Sequence, residues 1–153
     1  MWKPVLTSVL AIGLGAGLTA CRGDDDGGDA LTKDEFIAAA DGICEEMASD
    51  MDALFTDLGE NATFEELQAT TRDEAIPIAE DVLDDLRALN PPEADEDTIE
   101  ALLNDFDEAV QTVKAQAEMT EEELSAVEED AFADVDAAAR EYGFDTCGAE
   151  EDA

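Results

Sequence analysis

The chain has no histidine, and its 153 residues carry seven lysines and arginines against 43 aspartates and glutamates, a formal charge of −36. Without histidine there is no Ser-His or Cys-His nucleophile and no His-ligated zinc or iron centre. Apart from Lys3, the cations stand singly at Arg22, Lys33, Arg72, Arg87, Lys114 and Arg140, most of them beside acids. No basic face exists to neutralise phosphates, so nucleic acid is excluded as a partner, and an anionic lipid surface is repelled for the same reason. Beyond residue 20 only Ser49 and Ser125 carry a serine hydroxyl, and neither sits in a glycine-flanked nucleophile elbow. Paired carboxylates carry no signal in so acidic a chain, because some pair always falls at a suitable spacing. No catalytic residue and no cofactor can be assigned, and the chain is not expected to be an enzyme.

Nor is there a run of the ~20 apolar residues that a membrane-spanning helix needs. The longest apolar stretch, from Val5 to Leu18, follows Lys3 and closes on Leu18-Thr19-Ala20-Cys21. That length with small residues at its end fits an export leader. The closing tetrapeptide resembles the lipobox of bacterial lipoproteins, a Leu, two small residues and a Cys whose thiol is acylated before the leader is cut away. The resemblance implies that residues 1–20 are a signal peptide, that Cys21 becomes the lipid-bearing first residue, and that the lipid bilayer is a partner through it. The expected place is the extracytoplasmic face of the cell membrane. Losing the leader, with its one lysine and no acid, makes the rest one unit more negative than the whole chain. What remains suffices for one domain but not comfortably for two. Its self-repulsion is relieved by salt, so the composition suits either plain solubility or a saline habitat.

Residues 21–31 are polar and acidic and read as a flexible tether, of which ten residues reach ~17 to 19 Å as a random coil. A 3.6-residue apolar rhythm then runs from Thr32 to Tyr142. Thr32, Thr63 and Thr120 each precede a glutamate by three positions, Glu35, Glu66 and Glu123, the spacing of a capping box. The first helix is expected from about Lys33 to Leu58, with Phe36, Ala40, Ile43, Met47, Met51, Leu54 and Leu58 on one stripe, and Gly59 and Asn61 ending it. The second is expected over about Phe64–Leu89, kinked or broken at Pro77, which removes an N–H and crowds the Asp73 carbonyl. After the stop at Asn90-Pro91-Pro92, a third helix is expected over Asp95–Glu118 and a fourth over Glu121–Tyr142, with Leu124, Val127, Ala131, Val135, Ala138 and Tyr142 inward. Short connections between long amphipathic helices predict an all-α, up-down four-helix bundle over residues 32–148, followed by an acidic tail at 149–153.

With Cys21 assigned to lipid, Cys44 and Cys147 remain, in a compartment where disulfides form. Cys44 lies ~18 Å up the first helix from Thr32. In an up-down bundle the fourth helix ends beside the start of the first. Gly143 to Cys147 can extend about 16 Å, so the tail can run back to meet Cys44. A Cys44–Cys147 bridge is therefore expected, against the alternative of two free thiols. Gly143 is placed to end the fourth helix left-handed, with Phe144 packing back as in a Schellman stop. Three segments, Ala38-Ala39-Ala40-Asp41-Gly42-Ile43-Cys44, Leu86-Arg87-Ala88-Leu89-Asn90-Pro91-Pro92 and Tyr142-Gly143-Phe144-Asp145-Thr146-Cys147-Gly148, resemble the small helical lipoproteins and secreted proteins of high-GC Gram-positive bacteria. That resemblance implies a helical fold with the two cysteines bridged; it implies no activity.

Acids suit hard cations, but Asp24-Asp25-Asp26-Gly27-Gly28-Asp29 lacks the ligand spacing of an EF-hand loop. Asp95-Glu96-Asp97 and Glu121-Glu122-Glu123 stand in first helical turns, where they offset the macrodipole without an ion. Weak, diffuse association with divalent cations is expected, and no metal ligands are assigned. Met47 and Met51 could offer two thioethers to copper(I), yet they fall on the apolar stripe, where methionine serves as core filler. The leading reading is a lipid-anchored, non-enzymatic interaction domain with an envelope protein partner. Its rivals are a cation-binding or ion-buffering lipoprotein, and a small-solute-binding module with a pocket near Pro77.

Overall fold

Three threonines open three helices, each with the reciprocal bonds that its spacing requires. The Thr32 hydroxyl accepts from the Glu35 N–H at 3.4 Å while the Glu35 carboxylate accepts from the Thr32 N–H at 3.0 Å. Thr63 with Glu66 and Thr120 with Glu123 repeat the arrangement. These bonds favour the ionised glutamates and hold all three carboxyls below the usual range. The Thr32 hydroxyl is the larger cause at Glu35, the backbone N–H of Thr63 and of Thr120 at Glu66 and Glu123.

A computed structural model describes residues 30–59, 61–127 and 130–148, and among these the chain is all-helical, with no strand. The helices are α1 (Lys33–Leu58), α2 (Phe64–Thr70), α3 (Ile76–Ala88), α4 (Glu96–Gln116), α5 (Glu121–Leu124) and α6 (Ala133–Tyr142), with a π turn at Thr71–Ala75 joining α2 to α3. Residues 1–20, expected to be a leader, Cys21 and the 149–153 tail lie outside the described residues.

The π turn is how the second segment accommodates its proline. Pro77 stands just after the π turn, at the start of α3, and there the ladder widens so that the Ile76 N–H reaches back to the Thr71 carbonyl. α1 ends where Gly59 takes φ 80°, a value that an L side chain rarely adopts.

The fourth segment departs from the continuous helix expected over Glu121–Tyr142. α5 stops after one turn, and α6 restarts only at Ala133. Asp130 Oδ1 accepts the Phe132 N–H at 2.9 Å, an Asx-type turn that offers the backbone an alternative to helix. Phe132 then packs its ring 5.6 Å from that of Phe106. Val127, expected inward, is left 39% exposed.

α3 packs against both α1 and α4, and α4 packs against α6. One core cluster joins Phe36 and Ala40 of α1, Ile99 and Leu102 of α4, Ala139 and Tyr142 of α6, and Phe144 beyond it. A second joins Ile76, Ala79, Val110 and Ala117, with Met51, Phe106 and Phe132 against it. Met51 is thus partly buried, packed against this second cluster. Gln68 ties α2 to the end of α4 by donating its amide N–H groups to the carbonyls of Ala117 and Met119, filling acceptors left open there. Leu31, expected as the last residue of the tether, belongs to the fold: its N–H donates to the Asn90 carbonyl at 3.0 Å, and its side chain packs on the cluster that holds Phe36. A residue before the N-cap packed near the fourth helical position acts as a hydrophobic staple. No helix among the described residues is long and apolar enough to cross a membrane.

Candidate functional site

The chemistry concentrated in this fold lies where the C-terminal tail returns to α1. α6 ends at Gly143, whose φ of 116° turns the chain back, and the Phe144 N–H donates to the Ala139 carbonyl at 3.1 Å, the six-to-one bond of a Schellman stop. Phe144 is thereby carried into the core, its ring centroid 6.1 Å from Phe36 and 5.1 Å from Tyr142. Phe36 meets Tyr142 edge-on at 6.4 Å, closing a three-ring cluster. The Lys33 ammonium sits 3.9 Å from the centre of the Tyr142 ring, a cation–π contact that uses one of the chain's few positive charges.

From there the tail lies along α1, and Cys147 is bonded to Cys44 with the two Cα atoms 5.2 Å apart. The expected pairing is the observed one. A second fastening, which the sequence reading did not identify, runs beside it. Asp41, one turn before Cys44, accepts from three successive backbone N–H groups: Asp145 at 3.1 Å through Oδ2, and Thr146 at 2.9 Å and Cys147 at 3.1 Å through Oδ1. Beyond the bridge, Gly148 is buried against α6, so close that a Cβ there would stand 2.7 Å from the backbone nitrogen of Arg140.

The sequence pattern marks Tyr142 only as the end of an apolar stripe. Its hydroxyl donates to Asp95 Oδ2 at 2.8 Å, and burial first, then the Asp95 carboxylate, push its ionisation up to about 12. Asp95 is therefore engaged by a tyrosine, and Glu123 by its threonine cap. Among the described residues no three acids or cysteines converge as metal ligands would. Ser125 donates its hydroxyl to the Glu122 carbonyl at 2.8 Å and caps its own short helix. The Asp24–Asp29 run lies outside the described residues.

A groove of about 390 Å³ runs past Leu89, Pro91, Ile99 and Leu103, rimmed by Arg87, Glu96, Glu100 and Asn104. It lies at the junction of α3 and α4, and none of these residues flanks Pro77, where the solute-binding rival would place its pocket. Arg87 on its rim is held by Asp107 at 2.9 Å.

The sequence carries only half of the signal for Asp41, since Glu45 and Glu46 lie as near to Cys44 as it does. A chain leaving a helix through a left-handed glycine carries N–H groups with no helical acceptor, and an acid one turn from the bridging cysteine is placed to receive them. No protein-family model matches this chain, and no curated protein or solved structure is significantly similar to it.

Proposed function

We propose that this chain is a lipid-anchored extracytoplasmic domain, held at the membrane through acylated Cys21 and acting without catalysis by contact with another protein of the envelope. The observation that carries the reading is the bond between Cys44 and Cys147, because structural disulfides persist in oxidising compartments and are rare in the cytosol. The lipobox-like Leu18-Thr19-Ala20-Cys21 supports the anchor. In this reading the helices make an up-down four-helix bundle of α1, the α2–α3 path bent at Pro77, α4, and the α5–α6 segment. Support comes from the packing of α3 on α1 and α4 and of α4 on α6, and from the π turn beside Pro77, a feature at which helices bend. In this reading the acidic segment after Cys21 joins the domain at Leu31, whose N–H donates to the Asn90 carbonyl.

Mass spectrometry of the N-terminal peptide from native membranes tests the anchor: lipid on Cys21 is expected, and a chain still starting at an unmodified Met1 overturns it. Cys21→Ser should be released into the medium or stall with its leader attached. Crosslinking in native membranes, followed by pull-down, tests the partner. Calorimetry with calcium separates the cation-binding alternative: a stoichiometric isotherm that survives about 0.5 M salt, where diffuse attraction is screened, would replace the interaction reading.

A further inference from the structure

The bond between the cysteines is not the sole fastening of the tail. Both oxygens of Asp41 face the tail and receive the N–H groups of Asp145, Thr146 and Cys147 within 3.1 Å. Phe144 is buried among Phe36 and Tyr142, and Gly148 packs on the backbone of α6. Hydrogen bonds to an ionised acceptor are roughly twice as strong as neutral ones, and three of them in succession fix the path of the chain as well as its position. From this we propose that Asp41 is a positioning residue for the Cys44–Cys147 bridge. Its carboxylate docks the tail before the bridge exists and so selects Cys147 as the partner of Cys44 among the three cysteines of the chain.

Closure by a disulfide oxidant RSSR takes two exchanges. One chain thiolate attacks a sulfur of RSSR, forming a mixed disulfide and releasing RS⁻. The other then attacks the chain sulfur of that mixed disulfide and releases the second RS⁻. The two chain thiols together give up two electrons and two protons, and the oxidant leaves as two RSH. Asp41 takes no part in the bond-making. It raises the effective concentration of the second chain thiol above that of any competitor, Cys21 of the unacylated chain included.

Two measurements on the full chain test this. The first uses Cys44→Ala with Cys147→Ser, in which no bridge can form. Hydrogen exchange at the amides of residues 145–147 should stay slowed about tenfold or more relative to an unstructured tail, the effect of a protecting hydrogen bond, and adding Asp41→Ala should abolish that protection. The second equilibrates the chain with mixtures of glutathione and glutathione disulfide. The effective concentration of the bridge should fall about tenfold or more in Asp41→Ala. In Asp41→Asn, which keeps one oxygen for Thr146 and Cys147, it should fall by less, and peptide mapping should find Cys21 in new pairings in the alanine variant. Circular dichroism monitors folding, and if Asp41→Ala loses helical content, Asp41→Asn carries the comparison. Tail amides that exchange freely in the bridgeless chain, or equal effective concentrations in wild type and folded variants, would overturn the proposal.

Discussion

The Tyr142 hydroxyl donates to Asp95 Oδ2 at 2.8 Å, tying the last turn of α6 to the residue that opens α4. Because Tyr142 is the chain's one tyrosine, ultraviolet titration of tyrosinate reads this contact alone. Its folded pKa of about 12 stands above the ordinary 10.0. The native state therefore holds the proton where the unfolded state has lost it. The resulting stabilisation is complete below about pH 10 and is lost as pH rises toward 12. In denaturant the midpoint should return to the ordinary value. Tyr142→Phe should cost about 1 kcal/mol at neutral pH, a typical net hydrogen bond, and a folded chain whose tyrosine titrates at the ordinary value would refute the contact.

Reduction, or Cys147→Ser, should lower the unfolding free energy by roughly 2 to 5 kcal/mol while far-ultraviolet circular dichroism stays close to that of the oxidised chain. The bridge spans 103 residues and so restrains the unfolded ensemble strongly, while the capped helices and two core clusters remain. Denaturant titration with and without reductant makes the comparison.

Gly148→Ala should destabilise by about 1 to 3 kcal/mol, the usual cost of overpacking. The new methyl group would meet the Arg140 backbone nitrogen and Cγ at 2.7 Å and the Asp136 carbonyl at 3.1 Å. Backbone on a packed helix cannot step aside as a flexible side chain can. Thermal melts of the two oxidised proteins should show the loss, whereas Gly42→Ala, which has open space around it, should not destabilise.

The thermal midpoint should rise between about 0.05 and 1 M NaCl, over which the screening length falls from above 10 Å to about 3 Å. The exposed ion pairs Arg72–Glu118, Arg87–Asp107 and Lys114–Glu80 are weakened by the same salt. Pairs this exposed contribute little, against the mutual repulsion of a chain at −36. A midpoint that is flat or falls with salt would refute this balance.

Local physics made much of this molecule legible from the residues alone. The threonine–glutamate spacing located three helix starts because a capping box is satisfied within four residues. Gly59 and Gly143 located two helix ends because only glycine enters the left-handed region without strain. The Cys44–Cys147 bridge was expected from reading Cys21 as lipid-bearing, which leaves one pairing, and from a tail of the right length. What the sequence could not decide is whatever depends on which surfaces meet. Val127 and Phe132 are both apolar, yet Phe132 packs on Phe106 and the second core cluster while Val127 is left exposed, and the fourth helix is interrupted between them. Among 43 acids, nothing in composition distinguishes Asp41 or Asp95. They acquire their roles because folding brings three unpaired N–H groups to one and a buried hydroxyl to the other. Charge, caps and covalent pairing are written in short segments of chain, whereas the acids that hold the tail and the last helix in place are chosen by partners about 100 and 47 positions away.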